Sequence, residues 1–104
     1  MNRAELRVSV TRSEDETVIA VAGQLDLSTA EALSDAVSAE LRDAPGRIVL
    51  DFGGLTFCDS LGLGTLVVLQ RSAQAQRRYL TVRNPSAFFS RMLDVTGMGP
   101  ILMG

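Results

Sequence analysis

Histidine, lysine and tryptophan are absent from this 104-residue chain, and cysteine occurs once. Without histidine there is no Ser-His-Asp triad, no imidazole base and no imidazole metal ligand. Without lysine there is no P-loop and no amine for a Schiff base. The lone Cys58 can form neither an internal disulfide nor a zinc site, which fits a reducing compartment. Charge of one sign is not in excess: 12 acidic residues stand against 10 cations, all arginine, for a formal net charge of −2. That mild acidity argues against direct nucleic-acid binding, which needs a basic excess on one face. Long apolar runs are missing too. The longest, Leu61 to Leu69, falls far short of the ~20 residues that a membrane span needs. Met1 to Arg12 is polar and alternating, unlike a secretory signal. These absences predict a small cytoplasmic domain without membrane insertion, lacking most of the tools of an enzyme.

What is present suffices for one core. Hydrophobic residues make up 46% of the chain, and a chain this short buries about two-thirds of its unfolded surface, which predicts a single domain over residues 1–104. Leu6, Val8 and Val10 alternate with Arg7, Ser9 and Thr11, the period of a half-buried strand. The polar turn Ser13-Glu14-Asp15-Glu16 leads into the apolar run Thr17 to Ala22, so an antiparallel hairpin is expected. Ser28-Thr29-Ala30-Glu31 has the form of a capping box, and Ala30, Leu33, Val37 and Leu41 then share one helix face until Pro45-Gly46. Arg47 to Phe52 predicts a strand covered on both faces. Gly53-Gly54 is expected to open a loop, and Asp59-Ser60 to start a second helix. From Leu61 to Leu69 that helix is apolar all round and should be the most enclosed element. Tyr79 to Val82 reads as a strand. Asn84-Pro85 reads as a helix start, Phe88, Phe89, Met92 and Leu93 as the inward face of the helix, and Gly97 as its C-cap. Ile101-Leu102 suggests a last edge strand, and Arg77-Arg78 a solvated turn. The expected architecture is α/β: a mixed, mostly parallel sheet with an N-terminal antiparallel hairpin and helices packed on it.

Only one stretch joins unusual residues in an unusual setting, Asp51-Phe52-Gly53-Gly54-Leu55-Thr56-Phe57-Cys58-Asp59-Ser60-Leu61-Gly62-Leu63-Gly64. Loops beyond the carboxyl ends of parallel strands are where partners dock on α/β sheets. The plain reading of Asp59-Ser60 is a helix N-cap. Against it, Gly62 and Gly64 cost the first turn ~1 kcal/mol each relative to alanine, and leave bare backbone around the serine. A nucleophile elbow needs Gly-x-Ser-x-Gly, and Cys58 stands at the first glycine.

That stretch resembles the signature of STAS-domain proteins of the anti-sigma factor antagonist type: a strand ending in Asp, a short loop, then Asp-Ser, a small residue and Gly-Leu opening an apolar helix. Gly23-Gln24-Leu25-Asp26 is similar to the family's Gly-x-Leu-Asp turn, and Leu93-Asp94-Val95-Thr96-Gly97-Met98 to its Leu-x-x-Thr-Gly-(Leu/Met) segment. The likeness runs in order along nearly the whole chain. It implies a STAS-like fold and a protein that binds an anti-sigma factor, itself a serine kinase, so that a sigma factor is freed. It further implies that the kinase phosphorylates Ser60 and ends binding, that a separate phosphatase resets phosphorylated Ser60, and that Asp26 lies near that serine. Asp26, Asp59, Ser60, Leu61 and Gly62 are then the expected partner-binding residues, with no catalytic residue, cofactor or metal. Four positions depart from the pattern: Cys58 replaces an aliphatic residue, Leu61 replaces a small one, and Gly53-Gly54 loosens the preceding loop. Two rival readings stand beside this one. One is a scaffold of the same fold, in a lipid-transport or stress-signalling assembly, that never carries phosphate. The other is a small enzyme or nucleotide-binding protein using Asp26, Asp51 and Asp59.

Overall fold

The computed structural model describes residues 5–103; residues 1–4 and 104, the ends of the expected domain, lie outside the described residues. The elements run β1 (Leu6–Arg12), β2 (Glu16–Leu25), α1 (Ala30–Asp43), β3 (Arg47–Cys58), α2 (Ser60–Ala75), β4 (Leu80–Arg83), α3 (Ala87–Thr96) and α4 (Gly99–Met103). Four strands form one sheet in the order β1-β2-β3-β4, antiparallel between β1 and β2 and parallel across the rest. The expected mixed sheet and hairpin are therefore present.

Strand register sorts the side chains. Ile19 and Val21 of β2, Ile48, Leu50 and Phe52 of β3, and Leu80 and Val82 of β4 enter one buried cluster, joined by Leu33 and Val37 of α1, Leu66 of α2, Phe89 of α3 and Leu102 of α4. Phe52 and Phe89 meet edge to face, with centroids 4.9 Å apart at 84°, the orientation that ring quadrupoles favour. Alternate positions, among them Ser9, Ala20, Ala22 and Asp51, face away from that cluster.

Several local expectations are corrected. β3 does not end at Phe52 but continues through Gly53-Gly54 to Cys58. The parallel ladder with β2 shifts register between Ala20 and Ala22, which takes up the extra residues as a bulge. A methyl on Gly54 would sit 2.7 Å from the Ala22 side chain, so the glycine allows the two strands to close there. The capping box does not form. Thr29 is the residue before α1, its hydroxyl accepting from the Asp26 amide at 3.0 Å and donating to the Gln24 carbonyl at 2.8 Å. Ser28 is drawn instead to Asp26. α2 is less enclosed than expected, since Leu61 and Val68 stand 47% and 65% exposed. Ser86, not Asn84, caps α3, accepting from the Phe89 amide at 3.1 Å. Asn84 adopts a left-handed backbone (φ 53°) and donates to Asp51 Oδ1 at 3.1 Å. Phe88 is half-exposed against Phe57 rather than inward. Gly97 does cap α3 in the left-handed region.

The expected last strand is the short helix α4. With Gly97 turning the chain, the Met98 carbonyl accepts from the amides of Ile101 and Leu102, and a helical turn satisfies groups that an edge strand would leave bare. Arg78 is not merely solvated: its guanidinium donates to the carbonyls of Leu41, Ala44 and Gly46, closing the C-terminal end of α1. Glu40, buried on α1, pairs with Arg12 of β1 at 2.8 Å, which holds that helix to the hairpin.

Candidate functional site

Two turns at the carboxyl ends of β2 and β3 meet at the start of α2. The Asp59 amide donates to the Leu25 carbonyl at 3.3 Å, which places the β3–α2 junction beside the β2–α1 turn holding Asp26. Asp59 is the N-cap: extended in backbone, its Oδ1 accepts from the Gly62 amide at 2.8 Å. An aspartate there satisfies an orphan donor and opposes the positive end of the helix dipole. The next residue, Ser60, is the first of α2 and is exposed. Its hydroxyl makes no hydrogen bond among the described residues, whereas those of Ser28 and Ser86 are engaged. Asp59 does the capping, so Ser60 is left over.

Asp26 is committed to its own turn, Oδ1 accepting from the Ser28 amide at 2.9 Å and the Ser28 hydroxyl at 2.8 Å. Leu27, next in that turn, is 78% exposed. Gly62 is buried, and a methyl on it would stand 2.6 Å from the Leu25 carbonyl oxygen, 2.9 Å from Leu25 Cγ and 3.1 Å from Cys58 Sγ. Contact this close between the first turn of α2 and the end of β2 brings the Asp26 and Asp59 turns together. Of the five expected partner-binding residues, Gly62 thus works from inside. Asp26, Asp59, Ser60 and Leu61 keep exposed surface around it.

The structure adds three residues that sequence patterning missed, Ser34, Thr65 and Val68, beside Gly64, whose bare backbone the sequence singles out. Ser34 of α1 and Gly64, Thr65 and Val68 of α2 join Ser60 and Leu61 around a groove of about 390 Å³. The signal was the spacing 61-64-65-68, one helix stripe, hidden because neighbouring positions are also apolar. Asp51 is not brought to Asp26 and Asp59: its Oδ1 accepts from the Gly53 amide and Asn84 on the other side of β3. Among the described residues no group of three acidic, histidine or cysteine side chains is placed to hold a metal ion, and no helix is long and apolar enough to cross a membrane.

Cys58 is 2% exposed, and burial, with the Asp59 charge adding to it, pushes its thiol pKa from 9.0 up to about 12. Folding thus favours the protonated thiol, so this contribution to stability is full below pH 9 and is lost as pH rises through about 12. Iodoacetamide at about pH 8 should leave Cys58 unmodified in the folded protein and label it in urea; rapid labelling of the folded protein would contradict this.

The model of the family described as "Mlab, STAS domain" matches residues 8–103. The chain belongs to the STAS-domain family. Among STAS-domain relatives, an anti-sigma F factor antagonist of Lysinibacillus sphaericus is 30% identical over 95 residues, which cover 90% of this chain and 80% of that protein. The solved structure of the anti-sigma factor antagonist SpoIIAA in its unphosphorylated form is 25% identical, with a TM-score of 0.74 over 94% of this chain and 86% of that one. An anti-sigma factor antagonist from Mycobacterium paratuberculosis, also 25% identical, superposes with a TM-score of 0.76 over 94% of this chain and 83% of its own. The mixed α/β sheet expected from the order of elements, and the STAS-like fold that the resemblance implies, are the fold observed.

Proposed function

We propose that this STAS domain is an anti-sigma factor antagonist: it binds a kinase-type anti-sigma factor, frees a sigma factor, and is switched off by phosphorylation of Ser60. The observation that carries the reading is Ser60 itself, an exposed hydroxyl without a hydrogen-bond partner among the described residues, one residue past the aspartate that caps α2. A group already spent on capping would have to be torn from the fold before modification. Ser60 can be modified without disturbing the helix behind it. Antagonists of anti-sigma factors among the relatives, and a related one described by its unphosphorylated form, support the same reading. Asp26 and Asp59 then flank the hydroxyl as acceptors for a basic partner surface. A separate phosphatase would find the phosphoserine exposed.

The test is direct. The chain is incubated with each kinase-type anti-sigma factor encoded in its own genome and ATP, and phosphate is mapped by mass spectrometry. Label is expected on Ser60 and lost in Ser60→Ala. A label on any other residue, or none with every candidate kinase, overturns the switch. A second reading, a phosphate-free scaffold subunit, has Leu61 in its favour, since a bulky residue beside the serine narrows access. Its mark would be a stable complex that forms equally well with wild type and Ser60→Asp.

A further inference from the structure

The groove beside Ser60 is open in a way that points to its occupant. Leu61 and Val68 rise 47% and 65% exposed along one helix stripe, and between them a methyl placed on Gly64 would meet nothing within 4 Å. Ser34 closes the far side from α1. The floor is bare helix backbone with room for a side chain. Charge at the Ser60 end of the groove has one sign, and the exposed Arg71 lies one turn past Val68 at the other end. From Asp26 to Leu41 and from Asp51 to Gln70 the chain carries Asp26, Glu31, Asp35, Glu40, Asp51 and Asp59 and no cation. Glu40 is buried against Arg12 and Asp51 lies away from the groove. Asp26, Glu31, Asp35 and Asp59 remain as an acidic rim: Glu31 sits one turn before Ser34, Asp35 follows it, and the other two flank the turns beside Ser60.

We propose that this groove selects the partner: it receives one aliphatic side chain, flanked by basic residues, from the anti-sigma factor that phosphorylates Ser60. The proposal rests on the reading of Ser60 given above. Ser60 lines the groove, so a kinase surface that reaches the hydroxyl also covers Leu61 and Gly64. An aliphatic knob seated on Gly64 takes Leu61 and Val68 out of water together, while a polar one would be stripped of its own hydration for nothing. Leu61 also acts by exclusion. A partner shaped for a small residue after the serine meets a ridge, and rejecting the wrong partner is half of specificity. The rim contributes the other half, steering a basic surface and repelling an acidic one.

Gly64→Leu fills the groove from within, at a site with free space and with a better helix former, so the fold is spared. The probe is the purified anti-sigma factor that labels Ser60 in the assay above. Its affinity for Gly64→Leu should fall about tenfold or more, because truncating or blocking a central anchor costs at least that. KM for phosphorylation should rise with kcat unchanged, and the thermal midpoint should not fall. Val68→Ser should weaken binding in the same direction by less. Added salt should slow association. Wild-type affinity in Gly64→Leu, with binding still weakened at least thirtyfold by Ser60→Asp, overturns the groove and leaves the Ser60 reading in place. Undiminished binding by Ser60→Asp as well overturns both. A concentration-dependent dimer of this chain that Gly64→Leu dissolves would give the groove to a second copy and also overturn the proposal.

Discussion

Replacing Ser60 by aspartate should weaken binding of the anti-sigma factor at least thirtyfold, with little change in thermal stability. Two effects of the new charge compete. At the N-terminus of α2 a negative group is favoured by the helix dipole by about 0.3–1 kcal/mol. In a desolvated interface an unpaired charge costs on the order of 2–5 kcal/mol, or roughly thirty- to several-thousand-fold in affinity. The interface wins, and the domain itself stays folded. The neighbours sharpen the contrast, since Asp59 caps the same helix and Asp26 occupies the adjoining turn, with no arginine in either segment. Phosphoserine, with about −1.5 to −2 charges, should lie further along the same scale than aspartate. Titration calorimetry with the anti-sigma factor decides it. A dissociation constant within about threefold of wild type, less than 1 kcal/mol, would mean that Ser60 lies outside the contact.

Gly62→Ala and Gly64→Ala should move stability in opposite directions, although the two positions lie on the same helix turn. A methyl on Gly62 is driven against the Leu25 carbonyl oxygen at 2.6 Å, and a backbone atom there cannot swing aside as a side-chain tip would. Overpacking costs about 1–3 kcal/mol, and against a backbone oxygen it falls in the upper part of that range, above the ~1 kcal/mol that alanine returns through helix propensity. At Gly64 the methyl meets nothing, so only the gain remains. For a domain of this size each 1 kcal/mol moves the midpoint by about 4–8 °C, and the two variants should straddle the wild type by a margin that calorimetry resolves easily. Gly62→Ala should also slow phosphorylation of Ser60, because the displaced turn carries the Asp59 cap with it. Equal midpoints for the two variants would show that α2 does not ride on the end of β2.

Much of this was legible in the sequence, and the misses share a cause. Alternation at Leu6 to Thr11 and the three- and four-residue spacing at Ala30 to Leu41 reflect which side faces the core, and they predicted β1 and α1. Helix ends were read less well because several residues compete for each role. Ser28, Thr29 and Asp26 can all cap α1; a bond from the Thr29 hydroxyl across to the Gln24 carbonyl, outside the helix, settled it. Gly53-Gly54 looked like a loop because a strand gains nothing from glycine locally. Only tertiary neighbours explain them: Ala22 of the adjoining strand at Gly54, and the Asn84 side chain at Gly53. Asp59 and Ser60 stood out at the mouth of an apolar helix, and the resemblance added Asp26 through a separate short segment. Ser34 and Val68 belong to no motif, and their meeting across α1 and α2 is a tertiary fact. The uniform apolarity of α2 concealed which of its sides the core leaves uncovered.

Arg78 closes the carbonyl end of α1 from the turn between α2 and β4. Seen from the groove, that one guanidinium clamps the ends of the two walls farthest from Ser60, while the Leu25–Gly62 contact pins the near end. The far ends of the two helices are thus tied to each other, and the near end of α2 to the sheet. A visiting protein would find a berth of constant width and need not wait for it to open, so its arrival rate should follow encounter and charge alone, whereas its departure would answer to how well the berthed side chain fits.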